Sequence, residues 1–158
     1  MTSKSVDAKG ACCMKTEKDF FISDIRQIVN DLYRNGNSTT VKFTDKEGNI
    51  RPQDSKLDRD PDTGTVYILP SHSGVSAHEV FDGGSNRWKI NAGTSIPFGL
   101  AIAFDLVTPG HVHIVAIRKM KQSEFISLLE IMFDEAEKVT NIKAELQRNK
   151  QKLNGRRA

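Results

Sequence analysis

Residues 100–118 read Leu-Ala-Ile-Ala-Phe-Asp-Leu-Val-Thr-Pro-Gly-His-Val-His-Ile-Val-Ala-Ile-Arg. Two β-prone runs, Leu100 to Val107 and His111 to Arg118, flank a Pro109-Gly110 turn and predict neighbouring strands. In the second run Val112, Ile114 and Ala116 alternate with His113, Val115 and Ile117, so both faces are largely apolar. Such a strand belongs in the interior of a sheet. Working outward, Thr65–Leu69 (closed by Pro70) and Trp88–Ile90 read as short strands. Thr39–Thr44, with Val41 and Phe43 on one side, predicts another, followed by an Asp45–Gly48 turn and a return arm at Asn49–Arg51. Gln53–Gly64 is rich in charge and turn residues and reads as a loop, as does Ser71–Ser76.

Helical spacing brackets this β region. Phe20, Phe21, Ile25, Ile28, Val29 and Leu32 recur at intervals of three and four, predicting an N-terminal helix stopped at Asn35-Gly36. From Lys121 to Leu153 there is neither Pro nor Gly. Phe125, Leu128, Leu129, Met132 and Phe133 give a broad apolar face that thins to Val139, Ile142, Leu146 and Leu153, the pattern of one long C-terminal amphipathic helix. The fold class expected is α+β. Its parts are a flexible leader over 1–18, a single domain over 19–140 and a basic helical tail over 141–158.

The chain has 158 residues, of which 37% are apolar, enough for one core and too few for two. No apolar run approaches the roughly 18 residues of a membrane span, which excludes an integral helical membrane protein. The first 18 residues lack the apolar core of a cleaved signal peptide. Cys12 and Cys13 are adjacent and cannot staple distant segments, so a reduced, cytoplasmic setting is expected. The net charge of +3 is unevenly spread: from Lys138 onward seven basic residues face Glu145 alone, leaving the preceding body acidic. Such a tail can meet nucleic acid or an acidic partner, or simply form a solvated helix end. Its thin apolar stripe implies that deleting Arg148–Ala158 costs about 1 kcal/mol or less.

Candidate chemistry lies around the histidines and the small-residue loop. His111 and His113 share one side of a strand, and His72 or His78 would complete a zinc site. No paired motif with metal spacing supports it, so no metal is expected and a hydrogen-bonded structural histidine is the plainer reading. The loop Ser71–Ser76 (SHSGVS) can offer N–H groups and hydroxyls to a phosphate, without the lysine of a P-loop. Ser76 and His113 together would suit a hydrolase, but no GxSxG elbow accompanies them. Asp54, Asp58, Asp60 and Asp62 lack the glycine and final glutamate of a calcium loop.

The order of segments carries more. Leu32-Tyr33-Arg34, Glu47-Gly48, Pro61-Asp62-Thr63-Gly64-Thr65-Val66-Tyr67 with Pro70, Ser73-Gly74-Val75-Ser76, Gly93-Thr94-Ser95-Ile96-Pro97 with Leu100, His113-Ile114 and the helix from Lys121 follow one another over roughly residues 30–140. This succession resembles the type VI secretion effector toxins with an ADP-ribosyltransferase-like fold, growth-arrest toxins with relatives in fungi. Val75 stands where that family prefers Thr, Ile114 where it has Tyr, and Ser73 where it has Gly. The resemblance implies short strands in two small packed sheets, NAD as substrate, and transfer of ADP-ribose to a macromolecular acceptor. It implies delivery into a target cell without a cleaved signal, and an immunity protein as partner. Arg34, Ser73 and Ser76 would hold NAD, and Ser76 and His113 would act in catalysis, with Glu79 and Glu124 unranked as catalytic acids. The family needs its arginine on a core strand, whereas the spacing above puts Arg34 at a helix end. Two other readings stay open: a ribonuclease-like toxin using the histidines and the basic tail, and a non-catalytic protein-binding module.

Overall fold

The alternating residues of 100–116 do form a hairpin. β7 (Leu100–Asp105) and β8 (His111–Ala116) pair antiparallel from Leu100↔Ala116 to Phe104↔Val112. In the computed structural model, which describes residues 16–52 and 54–157, this hairpin lies within a seven-stranded sheet ordered β1-β7-β8-β5-β2-β6-β10. The others are β1 (Phe20–Ser23), β2 (Leu32–Asn35), β5 (Val75–His78), β6 (Arg87–Ile90) and β10 (Glu137–Lys138). A second sheet of β3 (Leu57–Arg59), β4 (Val66–Ile68) and β9 (Met120–Lys121) is ordered β3-β4-β9, and every pairing in both sheets is antiparallel. Two helices, α1 (Gln122–Met132) and α2 (Ile142–Arg157), complete a mixed α and β architecture dominated by strands. None is long and apolar enough to cross a membrane among the described residues.

The core fills the space between the inner face of the large sheet, the small sheet and α1. Leu32, Val75, Ile90, Ile102, Val112 and Ile114 meet Ile68, Phe125, Leu129 and Met132, all at most 2% exposed. Gly74 lets β5 approach β8 closely, since a Cβ there would lie 2.1 Å from the Ile114 carbonyl oxygen. As expected, β8 is interior, between β7 and β5.

The N-terminal helix is corrected. Phe20–Ser23 is an edge strand on β7, and Asp24–Asp31 is irregular apart from an isolated bridge between Gln27 and Ser95. The three-and-four spacing arose because a loop dips Ile25, Ile28 and then Leu32 into the core, while Phe21, Ile22 and Val29 stay exposed. Arg26 anchors this loop by donating to the carbonyls of Ile96, Pro97 and Leu100. The single long C-terminal helix is also corrected: α1 stops at Met132, β10 pairs with β6, and α2 starts afresh. Asn141 receives the Ala144 N–H on its side chain at 3.0 Å, a capping contact that begins α2.

Three smaller expectations shift as well. Thr39–Thr44 is no strand but meets its surroundings through isolated bridges, Gly36↔Val41 and Thr44↔Ile50. Leu57–Arg59, expected in a loop, pairs with β4, and Ser76, expected at a loop end, is inside β5. The leader lies outside the described residues as far as residue 15, with Cys12 and Cys13, and Gln53 and the Leu153 side chain lie outside them too. Glu17–Asp19 forms a short 3-10 turn with Thr16 at its N-cap in a capping box with Asp19.

The segment from 141 is no loose tail. Glu145 and Asn149 on α2 are 5% exposed and buried against the outer face. The Tyr33 hydroxyl donates to Glu145, and Lys89 Nζ lies 3.3 Å from the same carboxylate. Asn149 accepts the Phe81 N–H at 3.0 Å, and Lys152 pairs with Asp31.

Candidate functional site

Strand register places the polar residues of the outer face in a row. Ser76 lies opposite His113 and His78 opposite His111 between β5 and β8, while Tyr33 on β2 lies opposite His78. Asp105 ends β7 on the same side as Ala101 and Ala103, by the two-residue period of a strand. The Ser76 hydroxyl is 2.7 Å from His111 Nε2, and His111 Nδ1 is 3.0 Å from Asp105 Oδ2. The Asp105 side chain is fully buried, and its other oxygen accepts the N–H groups of Val107 and Thr108 at 2.9 Å each. A carboxylate beside Nδ1 assigns the His111 proton to Nδ1 and leaves Nε2 to accept from Ser76.

Rings extend the row. His78 stacks on His111 with centroids 4.9 Å apart, and His113 sits 4.7 Å from His111. Phe20 lies 5.4 Å from His113 and 4.7 Å from His72. His113 Nδ1 meets the Gly74 backbone, 2.9 Å from its oxygen and 3.2 Å from its nitrogen, so it donates or accepts according to its tautomer. Burial, and then the neighbouring His111, hold the His78 imidazole below its ordinary pKa. No group of three or more His, Cys, Asp or Glu side chains is placed to hold a metal ion among the described residues.

Arg34 is on the other side. It alternates with Tyr33 along β2, so its side chain enters the inner face, where its guanidinium lies 5.7 Å from the Phe43 ring centre. It is 8% exposed. Nε donates to the Lys42 carbonyl at 3.0 Å, and Nη1 to the Ser76 carbonyl at 2.7 Å. Among the described residues no carboxylate forms an ion pair with it. Burial pushes its pKa down to about 10; Asp54 opposes this and Arg51 adds to it, and the group stays charged at neutral pH. The guanidinium lines a cleft of about 150 Å³ with Lys42, Thr44 and Arg51, Phe43 forming its apolar side. Arg51 pairs with Asp54 at 2.9 Å, and Lys42 is exposed.

Of the sequence-derived candidates, Ser76 and His113 therefore share a face, and Arg34 reaches Ser76 only at its main-chain oxygen. Ser73 is half-buried in the preceding turn, its N–H donated to Ser71 Oγ at 3.2 Å. Glu79 accepts from Asn30, and Glu124 pairs with Arg118; neither lines the Arg34 cleft. Sequence reasoning missed His111 as the partner of Ser76, Asp105 behind it, and Lys42 and Arg51 beside Arg34. The one available signal was positional: Asp105 has the parity of Ala101 and Ala103 and stands just before the turn into His111. Comparison with protein-family models, curated proteins and solved structures returned no match.

Proposed function

We propose that the chain is an NAD-consuming, ADP-ribosyltransferase-like toxin, with the dinucleotide's pyrophosphate seated at Arg34, Lys42 and Arg51. The observation that carries this reading is Arg34, a cation buried on an interior strand with no ion-paired carboxylate among the described residues, in a cleft lined also by Lys42 and by Arg51, which pairs with Asp54. A buried charge is costly unless it is paired; Asp54 is shared with Arg51, and a dianionic ligand would give the three cations a direct partner. The cleft volume suits a pyrophosphate, with the nucleosides extending beyond its rim. The succession of motifs from Leu32-Tyr33-Arg34 to His113 supports the same reading, and Arg34 on a strand removes the conflict that a helix end would have posed. The two antiparallel sheets are compatible with the short-strand core which that family has.

The chemistry proposed is cleavage of the nicotinamide–ribose bond through an oxocarbenium-like state and transfer of ADP-ribose to an acceptor. The cationic groups are assigned to the pyrophosphate, and exclusion of water at the ribose keeps the oxocarbenium-like carbon from being hydrolysed before the acceptor reaches it. Ser76 and His113, across the sheet from the guanidinium, are assigned no contact with the pyrophosphate. The test is inducible expression in a bacterium, with free nicotinamide measured in the cells. Growth arrest and nicotinamide release are expected from the intact chain, and neither from a Lys42→Ala/Arg51→Ala protein that accumulates equally. Arrest without NAD loss favours the ribonuclease-like reading if RNA is cut, and the binding-module reading if it is not.

A further inference from the structure

We infer that Ser76, His111 and Asp105 form a second, independent site: a serine nucleophile for acyl transfer from small activated esters. The three groups are connected in the order such chemistry needs, hydroxyl to Nε2 at 2.7 Å and Nδ1 to carboxylate at 3.0 Å. Asp105 is held from behind by two backbone N–H groups and its side chain is closed to water, so it orients the imidazole without being free to rotate. His111 keeps 19% of its side chain exposed and Ser76 is half-buried, so a ligand can reach the pair from the outer face. The Ser76 hydroxyl is also spare to the fold: Arg34 uses its carbonyl, and the strand pairing uses its backbone.

A cleft of about 100 Å³ adjoins His78, walled also by Tyr33, Asn35 and Arg87. Arg87 is held on this wall by Asp82, which also lines the cleft, and by the Ser85 carbonyl, so the Asn35 amide is the group assigned to donate to a carbonyl oxygen that gains charge. Its size fits a short acyl group. Ser76 Oγ bonds to the ester carbonyl carbon while its proton passes to His111 Nε2. The ester C–O bond then breaks, and the leaving alkoxide takes that proton and departs as the alcohol. Water attacks the acyl-serine with His111 again as base, its proton returns to Ser76, and the carboxylic acid is released.

The test uses the full chain and an alkyl fluorophosphonate, read by intact mass and peptide mapping. One adduct on Ser76 is expected, absent in Ser76→Ala. In Asp105→Asn the amide would donate to Nδ1 and move the proton to Nε2, so labelling should slow by about tenfold or more, as it should in His111→Gln. Circular dichroism melting confirms which variants are folded. An unlabelled Ser76 in the folded native protein overturns the inference whatever the variants do. Labelling that survives heat denaturation, or is unchanged in a folded Asp105→Asn protein, overturns it too.

Discussion

The two faces of the seven-stranded sheet solve opposite problems. On the inner face Leu32, Val75, Ile90, Ile102, Val112 and Ile114 are at most 2% exposed, and Arg34, on the same face, is 8% exposed beside the Phe43 ring. On the outer face polar groups meet polar groups: Ser76 with His111, His111 with Asp105, Tyr33 and Lys89 with Glu145. A polar group that has its partner costs little to bury, whereas Arg34 has no direct ion pair among the described residues and feels the Asp54 carboxylate, itself paired with Arg51, only through space. The contrast separates the Arg34 cleft, where cations gather, from a row of polar groups that are bonded to one another.

The sharpest way to break this comparison is to put a charge where the outer face is dry. Val115 is 1% exposed in a cluster with Ala101 and Ala103, so Val115→Asp buries an unpaired carboxylate at several kcal/mol. Insoluble expression is expected, and a soluble protein with native melting would show that this part of the face is open.

Next in size is the end of the chain. Because Asn149 accepts the Phe81 N–H and Lys152 pairs with Asp31, deleting Arg148–Ala158 strands the buried Phe81 N–H and removes that ion pair, while the Tyr33 hydroxyl keeps Glu145. The expected cost is about 2–3 kcal/mol in urea unfolding, above the 1 kcal/mol that the thin apolar stripe implies. A loss under 1 kcal/mol would return the segment to the status of a tail.

A smaller effect follows from Glu145. Burial alone raises its pKa, but the Tyr33 hydroxyl, Lys89 and Arg148 outweigh burial and hold it below 4.5. A carboxyl depressed in the folded state contributes stability above the unfolded pKa and loses it as pH falls through the folded value. Stability should therefore decline below about pH 4.5, and Glu145→Gln should flatten that acid limb. An unchanged limb would show that the pairing contributes nothing.

The smallest expected change is Ser76→Ala, which removes a hydroxyl whose partner, His111, keeps its carboxylate and solvent access. A stability loss within about 1 kcal/mol is predicted by calorimetry. A larger loss would make the hydroxyl part of the scaffold.

Reading the sequence reached the β7–β8 hairpin, β4, β6 and the start of α1, because in each the apolar period and the flanking turn residues agree. It failed where two physical patterns coincide. Ile25, Ile28 and Leu32 are spaced like a helix face, yet they are successive points at which an irregular segment and then β2 touch the core. After Met132 there was no Gly or Pro to announce a break, although Thr140-Asn141 before Ile142 carried a capping signal. The candidate site was half legible. Ser76, His113 and Arg34 could be picked out by residue type and order, but which side of a strand each faces depends on register, and register is set by contacts far apart in the chain. The Ser76–His111 pairing and the separation of Arg34 from it both follow from that.

The central claim is that the Arg34 cleft takes the pyrophosphate of NAD, and calorimetric titration of the folded chain with NAD at low salt tests it most directly. The account predicts saturable one-to-one binding, weakened about tenfold or more in Lys42→Ala/Arg51→Ala, near 1.4 kcal/mol or above, and unchanged in Ser76→Ala. Absence of NAD binding to the folded native protein, or equal binding by the cleft double variant, would contradict it.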